Sequence, residues 1–334
     1  MSTQHKQLKF LLVIFNFIFL IFNCLYSIPP AGVVTSIDGD VQLLPYKNDS
    51  WQSAKVGTFL YEGDTIKTLE KSYTAVTLTN GGEMKINQNT EFSFEITSQI
   101  ESVGSQIKAK MGQIWSKVRP KTKFEIHTPV AIVAVRGTEF DINLIGGKLY
   151  LAVYEGKVNL KNKYGEVDVK AGDETSAGAD TPPEPPKEMK KEKQEKKWQE
   201  EKISKGSIKI ETKTTKIVCD IAFELIVSVY DADGKLDKTA KNEITVKSDS
   251  TAMLFSADSM NWNKKQKIIP ADGIAKLYGK VSLDGLHSIF AVAENYIAGK
   301  LDVLATQPKT KNLKLKMKSD TGENELILKF KKKE

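Results

Sequence analysis

Short runs of alternating apolar and polar residues fill the chain between residues 28 and 180 and predict many short β-strands. In Phe140–Leu144, for example, Phe140, Ile142 and Leu144 face one way and Asp141 and Asn143 the other. Asn80-Gly81 separates two such runs, a pattern that favours a tight hairpin. The predicted strands include Thr74–Thr79, Glu83–Ile86, Glu91–Ile96, Phe124–Thr128, Phe140–Leu144, Leu149–Tyr154, Lys157–Leu160 and Glu166–Val169. Residues 102–117 are ambiguous. An all-β region is expected, and a barrel, a sandwich or a solenoid would each fit it.

β-type patterns resume after residue 206. Every odd position from Ile217 to Val229 is apolar, which predicts one long half-buried strand or two strands joined by a bend. About a hundred residues with roughly seven strands is the size of an immunoglobulin-like sandwich. A terminal hairpin follows, in which Leu313, Leu315 and Met317 alternate with lysines before a return strand at 326–330. Further strands are expected at Glu243–Lys247, Ala252–Ser256, Ala275–Val281, His287–Ala293 and Lys300–Ala305.

Between these regions, residues 181–205 change character. Thr181–Pro186 is rich in proline, which favours extended geometry. Lys187–Lys205 then alternates charges around Trp198, with opposite charges four residues apart, as on a marginal helix. The segment is interpreted as a linker, and a partner-binding helix is the alternative.

The first 27 residues have the pattern of a secretory signal peptide. Lys6 and Lys9 precede an apolar run from Phe10 to Phe22, and Ser27 offers a small residue for cleavage. Two alternatives remain open: lipidation of Cys24, or retention of the segment as an uncleaved anchor. Each places the rest of the chain outside the cytoplasm, in the periplasm or at the cell surface. Membrane contact is expected only through an uncleaved or lipidated N-terminus.

Length and charge refine this organisation. The chain has 334 residues, enough for two domains, and a formal net charge of +7. The excess is local, since residues 307–334 carry nine lysines against four acids and residues 28–306 are neutral. A neutral body is a poor match to nucleic-acid binding. The predicted domains are residues 28–180, the linker 181–205, and residues 206–334.

Catalytic and metal-binding patterns are not found in the sequence. His127 and His287 fall in different predicted domains, and with Cys219 they cannot complete a zinc site. The glycine-rich loops of nucleotide sites and the Gly-x-Ser-x-Gly elbow of serine hydrolases are missing too. No cofactor or enzyme activity is therefore predicted. A hydrolase with an unrecognised pair of acids is kept as the least favoured alternative.

One run carries a family likeness. Thr128-Pro129, a small apolar stretch, and then Val135-Arg136-Gly137-Thr138-Glu139-Phe140 resemble the signature of the FecR domain, named for the ferric-dicitrate sensor regulators. Further elements at 33–41, 57–68, 153–158 and 171–173 agree in order, so the likeness covers roughly residues 32–178. The resemblance implies a β-solenoid-like fold of short stacked strands. Residues 206–306 are similar, more weakly, to bacterial immunoglobulin-like domains.

The chain departs from the sensor regulators at its start. Those proteins place a cytoplasmic anti-sigma segment before a membrane span, whereas nine residues precede the apolar run here. We therefore expect the transcription-control mechanism not to carry over. The resemblance then implies a β-rich surface that binds another envelope protein, in signalling or assembly.

The motif residues Thr128, Pro129, Arg136, Gly137, Thr138 and Phe140 are candidates for structure or binding. Arg136 has two interpretations: a partly buried staple between loops, or an exposed binding residue. Trp51 and Trp115 are candidates for stacking a sugar, with core or turn packing as the alternative. The predicted function is non-catalytic binding to an envelope protein, and binding to peptidoglycan or a surface glycan is the alternative.

Overall fold

The computed structural model describes residues 29–94, 105–120, 122–190, 198, 205–308, 310–319 and 322–331. The regular structure in these ranges consists of β-strands, which confirms the predicted all-β class. Across the described part of the chain, no helix has the length and apolar character needed to span a bilayer. The predicted signal peptide with Cys24, and most of the predicted linker helix, lie outside the described residues.

The described strands agree closely with the predicted ones, and the ambiguous 102–117 stretch contains a long strand from Ser105 to Lys117. In chain order the strands are β1 Gly32–Asp38, β2 Val41–Leu44, β3 Gln52–Ser53, β4 Phe59–Leu60, β5 Thr65–Thr68, β6 Tyr73–Leu78, β7 Glu83–Ile86, β8 Glu91–Phe94, β9 Ser105–Lys117, β10 Lys123–His127, β11 Ile132–Arg136, β12 Glu139–Ile145, β13 Lys148–Glu155, β14 Lys157–Asn162, β15 Gly165–Lys170, β16 Asp173–Gly178, β17 Lys187–Glu188, β18 Gly206–Glu211, β19 Ile217–Val218, β20 Phe223–Asp231, β21 Ile244–Ser248, β22 Met253–Ser256, β23 Lys265–Ile268, β24 Ile274–Val281, β25 Gly285–Val292, β26 Tyr296–Ile297, β27 Gly299–Thr306, β28 Thr310–Ser319 and β29 Gly322–Lys331.

The described residues up to Lys205, with Ala293–Ala298, form a first unit. Its strands make two layers that share β9. The first layer has the order β4-β1-β6-β7-β9-β12-β13-β16-β17, and the second has the order β3-β2-β5-β8-β9-β10-β11-β14-β15. The chain passes back and forth between the layers as it advances along them. The solenoid assignment stays a prediction.

Strand β9 joins the two layers because it bends at Gly112. Its first half pairs with β8 and, in parallel, with β10, whereas residues 112–117 pair with β7 and β12. Gly112 has φ +98°, and a Cβ there would lie 2.2 Å from the Oγ1 of Thr90. Only glycine fits both the left-handed backbone and this close approach.

One continuous apolar core lies within the first unit and draws side chains from both layers. Met84, Ile114 and Phe140 contribute from the first layer, and Phe92 and Phe124 from the second. Because side chains alternate along a strand, the residues between these core positions face away from the core. In β12, this alternation places Asp141 and Asn143 on the outer face.

The first unit continues past the predicted boundary at residue 180. β17 pairs with β16, and Pro183 and Met189 are buried. The amide of Met189 donates a 2.8 Å hydrogen bond to the carbonyl of Gly172. The proline-rich start of the predicted linker is therefore packed structure, because these apolar side chains find a surface to bury.

The second unit contains two sheets and a separate hairpin. One sheet includes the order β22-β24-β20-β18, the other has the order β19-β27-β25-β21-β23, and β28 pairs with β29. The alternating run Ile217–Val229 forms two strands in different sheets, β19 and β20, with Asp220 at φ +64° between them. The bend, rather than one long strand, is therefore correct. The immunoglobulin-like assignment stays a prediction.

We predict that Gly112→Ala destabilises the first unit by about 3 kcal/mol or more, because the added Cβ meets Thr90 and the left-handed backbone adds strain. Gly146→Ala is the control, since Gly146 also has a positive φ but open space around its Cα. We expect it to cost about 1 kcal/mol. Urea unfolding of the two variants measures the difference, and equal losses would contradict the steric role of Gly112.

We predict that Lys247 makes the second unit more stable at alkaline pH. Burial lowers the pKa of Lys247 to about 8, and the like charge of Lys265, its register partner, adds to the effect. The unfolded chain keeps this proton up to its ordinary pKa of 10.5. The unfolded state therefore binds more protons between pH 8 and 10.5, so the free energy of unfolding rises with pH there.

The comparison is with Lys247→Met, which removes the titrating group and keeps the length of the side chain. Urea unfolding between pH 7 and 10.5 measures the stability of both proteins. We expect the advantage of the variant to shrink as the pH rises, and Lys276→Met, at an exposed lysine, to show no such trend. Parallel curves for wild type and Lys247→Met would refute the prediction.

Candidate functional site

The Thr128-Pro129 element of the motif forms the turn of a hairpin between β10 and β11. The Thr128 hydroxyl donates to the carbonyl of Ala131 at 2.7 Å and accepts from the amides of Ala131 at 3.0 Å and Val130 at 3.3 Å. The backbone amide of Thr128 also donates to Ala131 at 3.0 Å. This network holds Pro129 exposed at the tip of the turn. We call β10, residues 128–131 and β11 the motif hairpin.

The second half of the motif fixes the passage from β11 to β12. Gly137 has φ +70°, and a Cβ there would lie 2.7 Å from the Cα of Pro120. Phe140 is fully buried in the core. Thr138 is also buried, its carbonyl accepts from the amide of Val118 at 2.8 Å, and its hydroxyl has no hydrogen-bond partner among the described residues. These three residues are structural.

Arg136 is exposed at the end of β11. Its cross-strand partner is Lys123, another cation, so the register offers it no salt bridge there. Within the described part of the chain, its guanidinium takes part in no hydrogen bond or ion pair. The exposed interpretation of Arg136 therefore fits the structure, and the staple interpretation does not.

Two open grooves flank the motif hairpin and share Pro129 and Val130. The first groove has a volume of about 520 Å³ and is lined by residues 87–89, 110–113 and 143–147. The second groove has a volume of about 540 Å³ and is lined by Ile132, residues 161–163 and residues 179–180. The turn of the motif is therefore a ridge between two concave surfaces.

The grooves combine exposed apolar side chains with cations. In the first groove, 51% of Met111 and 63% of Ile145 is exposed, and Ile132 is exposed in the second. Lys110, Lys161 and Lys163 stand nearby, with the Lys110 ammonium 2.7 Å from Glu91. Grouped exposed apolar residues with a polar rim mark interaction sites more often than scattered ones do.

A chain of polar contacts lies beside the first groove, on the outer face of the first layer. Asn87 Nδ2 donates to Gln113 Oε1 at 2.8 Å, and Gln113 Nε2 donates to both carboxylate oxygens of Asp141, at 2.9 and 3.1 Å. The indole of Trp198 donates to the same carboxylate. Asn87 and Gln113 also line the first groove.

The two candidate stacking tryptophans differ in accessibility. Trp51 is 39% exposed, and Lys67 Nζ lies 5.7 Å from the centroid of its ring. Trp115 is only 5% exposed, and Lys85 Nζ lies 4.9 Å from its ring. Trp115 is therefore unable to stack a sugar, because its ring is buried. Trp51 stays a candidate.

The remaining candidate ligands are held in local contacts. His127 Nε2 lies 2.9 Å from Glu125, His287 Nε2 lies 2.9 Å from the carbonyl of Leu283, and Cys219 is buried. No group of three or more His, Cys, Asp or Glu in the described ranges is arranged to hold a metal ion.

Sequence reasoning missed Met111, Ile145, Gln113 and Trp198 as site residues. Met111 lies in the ambiguous stretch and Ile145 at a strand end, where alternation does not decide exposure. Trp198 was noted only as the aromatic centre of a charged segment. Its isolation among charged residues is a signal that could have marked it as a contact.

We predict that Thr128→Val destabilises the first unit by about 1–2 kcal/mol, because it leaves the amides of Val130 and Ala131 without their hydroxyl acceptor. Thr212→Val is the control, since that hydroxyl also donates to a carbonyl but lies in the second unit. Amide hydrogen exchange at residues 128–131 gives the local readout. Unchanged exchange there would show that the hydroxyl does not hold the turn.

Comparison with known proteins agrees with the motif. Residues 64–159 match the sequence model of a family described as FecR protein. No curated protein matches the chain.

Similar solved structures include a candidate anti-sigma factor from Parabacteroides distasonis ATCC 8503, at 17% identity and TM-score 0.35, covering 39% of this chain. This chain spans 62% of the length of that protein. A beta-glycosidase from Bacteroides vulgatus is 9% identical with TM-score 0.25, covering 56% of this chain and 23% of its own. Domains 4 and 5 of the S-layer protein SbsC are 12% identical with TM-score 0.22, covering 72% of this chain and 93% of their own. These likenesses are too low to support a functional argument.

The family match spans the motif hairpin, both flanks of the first groove and the β9 crossing. It thus confirms the resemblance found in the motif residues: residues 64–159 of this chain are similar to the FecR protein family.

Proposed function

We propose that this chain is an exported, non-catalytic envelope protein whose FecR-type domain binds another protein, in a signalling or assembly role. The observation that carries the proposal is the pair of open grooves on either side of the motif hairpin. They lie beside the Thr128-Pro129 turn of the motif and expose Met111, Ile145 and Ile132 to solvent.

The shape of the grooves favours an extended segment of a protein as the ligand. Small-molecule sites bury most of their ligand, whereas both grooves are open, and Met111, Ile145 and Ile132 are exposed on their walls. The turn between them is held by hydrogen bonds of Thr128, so the surface is formed before binding. The lysines on the rim add a preference for a segment with acidic residues beside its apolar ones.

Among the described residues, one outer strand is long enough to offer a further contact. Three of the four outer strands of the two layers, β3, β4 and β17, have only two residues. The fourth, β15, has six residues and follows Lys163, which lines the second groove. An extended partner segment can pair with such an edge through its backbone.

Export is part of the proposal and is supported by the sequence pattern of residues 1–27 alone. The signalling or assembly role is supported by the FecR match, which describes a family rather than a partner.

Glycan binding is the second candidate, because Trp51 is exposed beside Lys67. An exposed indole offers an apolar ring that can stack on a sugar and an N–H that can donate to a hydroxyl. A protein ligand would contact the residues of the grooves, whereas a glycan would contact Trp51. Substitutions at the two places therefore distinguish the two candidates.

We predict that the double variant Met111→Asp and Ile145→Asp lowers capture of the partner about tenfold or more, because two central apolar contacts become charged. Crosslinking in cells, affinity capture of the full-length chain and mass spectrometry measure this for each captured protein. Ile269→Asp is the control, since Ile269 is comparably exposed but lies in the second unit.

If the partner protein is captured equally by the wild type, the double variant and Ile269→Asp, the groove proposal is contradicted. Glycan fragments lost from Trp51→Ala but retained by the double variant would instead establish the second candidate. Circular dichroism confirms that the variants are folded.

A further inference from the structure

Asp141 lies in an unusual position for an aspartate of the outer face. Its neighbours in β12, Phe140 and Ile142, are core residues, so Asp141 faces away from the core. A carboxylate on such a face is usually solvated. Asp141 is nevertheless only 5% exposed, so other parts of the protein cover it.

The strands beside Asp141 extend this buried polar surface. Lys85, Trp115 and Asp141 are consecutive register partners across β7, β9 and β12. Lys85 and Trp115 are both buried, and the Trp115 indole N–H has no hydrogen-bond partner within the described residues. This row is therefore a built surface with buried charges, which is costly unless the charges are engaged.

Trp198 is one of the groups that engage it. An indole N–H can only donate, and an ionised carboxylate can only accept, so the two match without competition. Hydrogen bonds to a charged acceptor are roughly twice as strong as neutral ones. Trp198 is half-buried and belongs to the charged segment that the sequence predicts as a linker.

Hydrogen bonds connect the Asp141 carboxylate to two residues that line the first groove. Gln113 Nε2 binds both oxygens of Asp141, and its Oε1 accepts from Asn87. The Gln113 amide is hydrogen-bonded to Asp141 through its nitrogen and to Asn87 through its oxygen. The rotamers of Gln113 and Asn87 therefore depend on where the Asp141 carboxylate lies. Both residues line the first groove.

We propose that Trp198 and Asp141 form a positioning contact, in which the linker tryptophan holds the Asp141 carboxylate and thereby fixes Gln113 and Asn87 in the first groove. The site takes an indole, and its occupant is Trp198 of the same chain. The consequence for ligand binding rests on the proposed function of the groove, whereas the contact itself does not.

The first experiment measures the contact in the full-length protein without any partner. Trypsin cleaves after the lysines around Trp198, and mass spectrometry follows the cleavage rate at residues 190–205. We expect Trp198→Phe, which keeps an aromatic ring but removes the N–H, to speed this cleavage about tenfold, as loss of a hydrogen bond to a charged group implies. Trp51→Phe is the matched control and should leave the rate unchanged.

The second experiment tests positioning rather than anchoring. In two-dimensional ¹H–¹⁵N correlation spectra of the full-length protein, the side-chain amide resonances of Gln113 and Asn87 report their hydrogen bonds. We expect both resonances to shift and exchange faster in Trp198→Phe and in Asp141→Asn, with the resonances of Asn159 and Asn162 unchanged. If Trp198 only tethers its segment, Trp198→Phe will speed cleavage but leave the amide resonances of Gln113 and Asn87 unshifted. That result would overturn the positioning role.

Wild-type cleavage rates in both Trp198→Phe and Asp141→Asn would overturn the contact itself. Protection that grows with protein concentration, together with dimers in solution, would show that Trp198 fills the site of a second copy and would overturn the intramolecular assignment. None of these readouts needs a partner, so failure to capture one would count against the proposed function alone.

Discussion

The bend of β9 at Gly112 is the constraint on which the first unit depends. One strand must belong to two layers, and a strand can turn sharply only where the backbone adopts a conformation closed to most residues. Gly112 has a left-handed φ, and Thr90 approaches it so closely that no Cβ would fit. The crossing and the pairing of β8 with β9 therefore both depend on this glycine. The core on both sides then forms from side chains that this crossing brings together.

The family motif divides into structure and surface on the same basis. Gly137 and Phe140 are required by the backbone and the core, and Thr128 closes its turn by side-chain hydrogen bonds. These contacts leave Pro129 and Arg136 exposed. A signature that is mostly structural therefore also places a rigid ridge between two grooves, which is how a folding motif can create a binding surface.

The buried Asp141 on the outer face connects residues that are far apart in the sequence. Asp141 follows the alternation that the sequence predicts, but it is buried and accepts a hydrogen bond from Trp198, more than fifty positions away along the chain. A carboxylate in such surroundings must be hydrogen-bonded, and its partners Gln113 and Trp198 are then ordered in turn. Trp198 is thus linked by hydrogen bonds through Asp141 to Gln113, which lines the groove that we propose as the binding surface.

Alternation, turn residues and the motif determined the all-β class, most strand positions and the FecR resemblance from the sequence by itself. These features are local, since side-chain period and turn geometry act over a few residues. The tertiary structure alone decided that Ile217–Val229 divides between two sheets, that 181–190 packs on the first unit, and that Trp115 is buried while Met111 is exposed. Each of these depends on which distant strands pair and on what covers an outer face, and burial is a property of those non-local contacts rather than of the residue type.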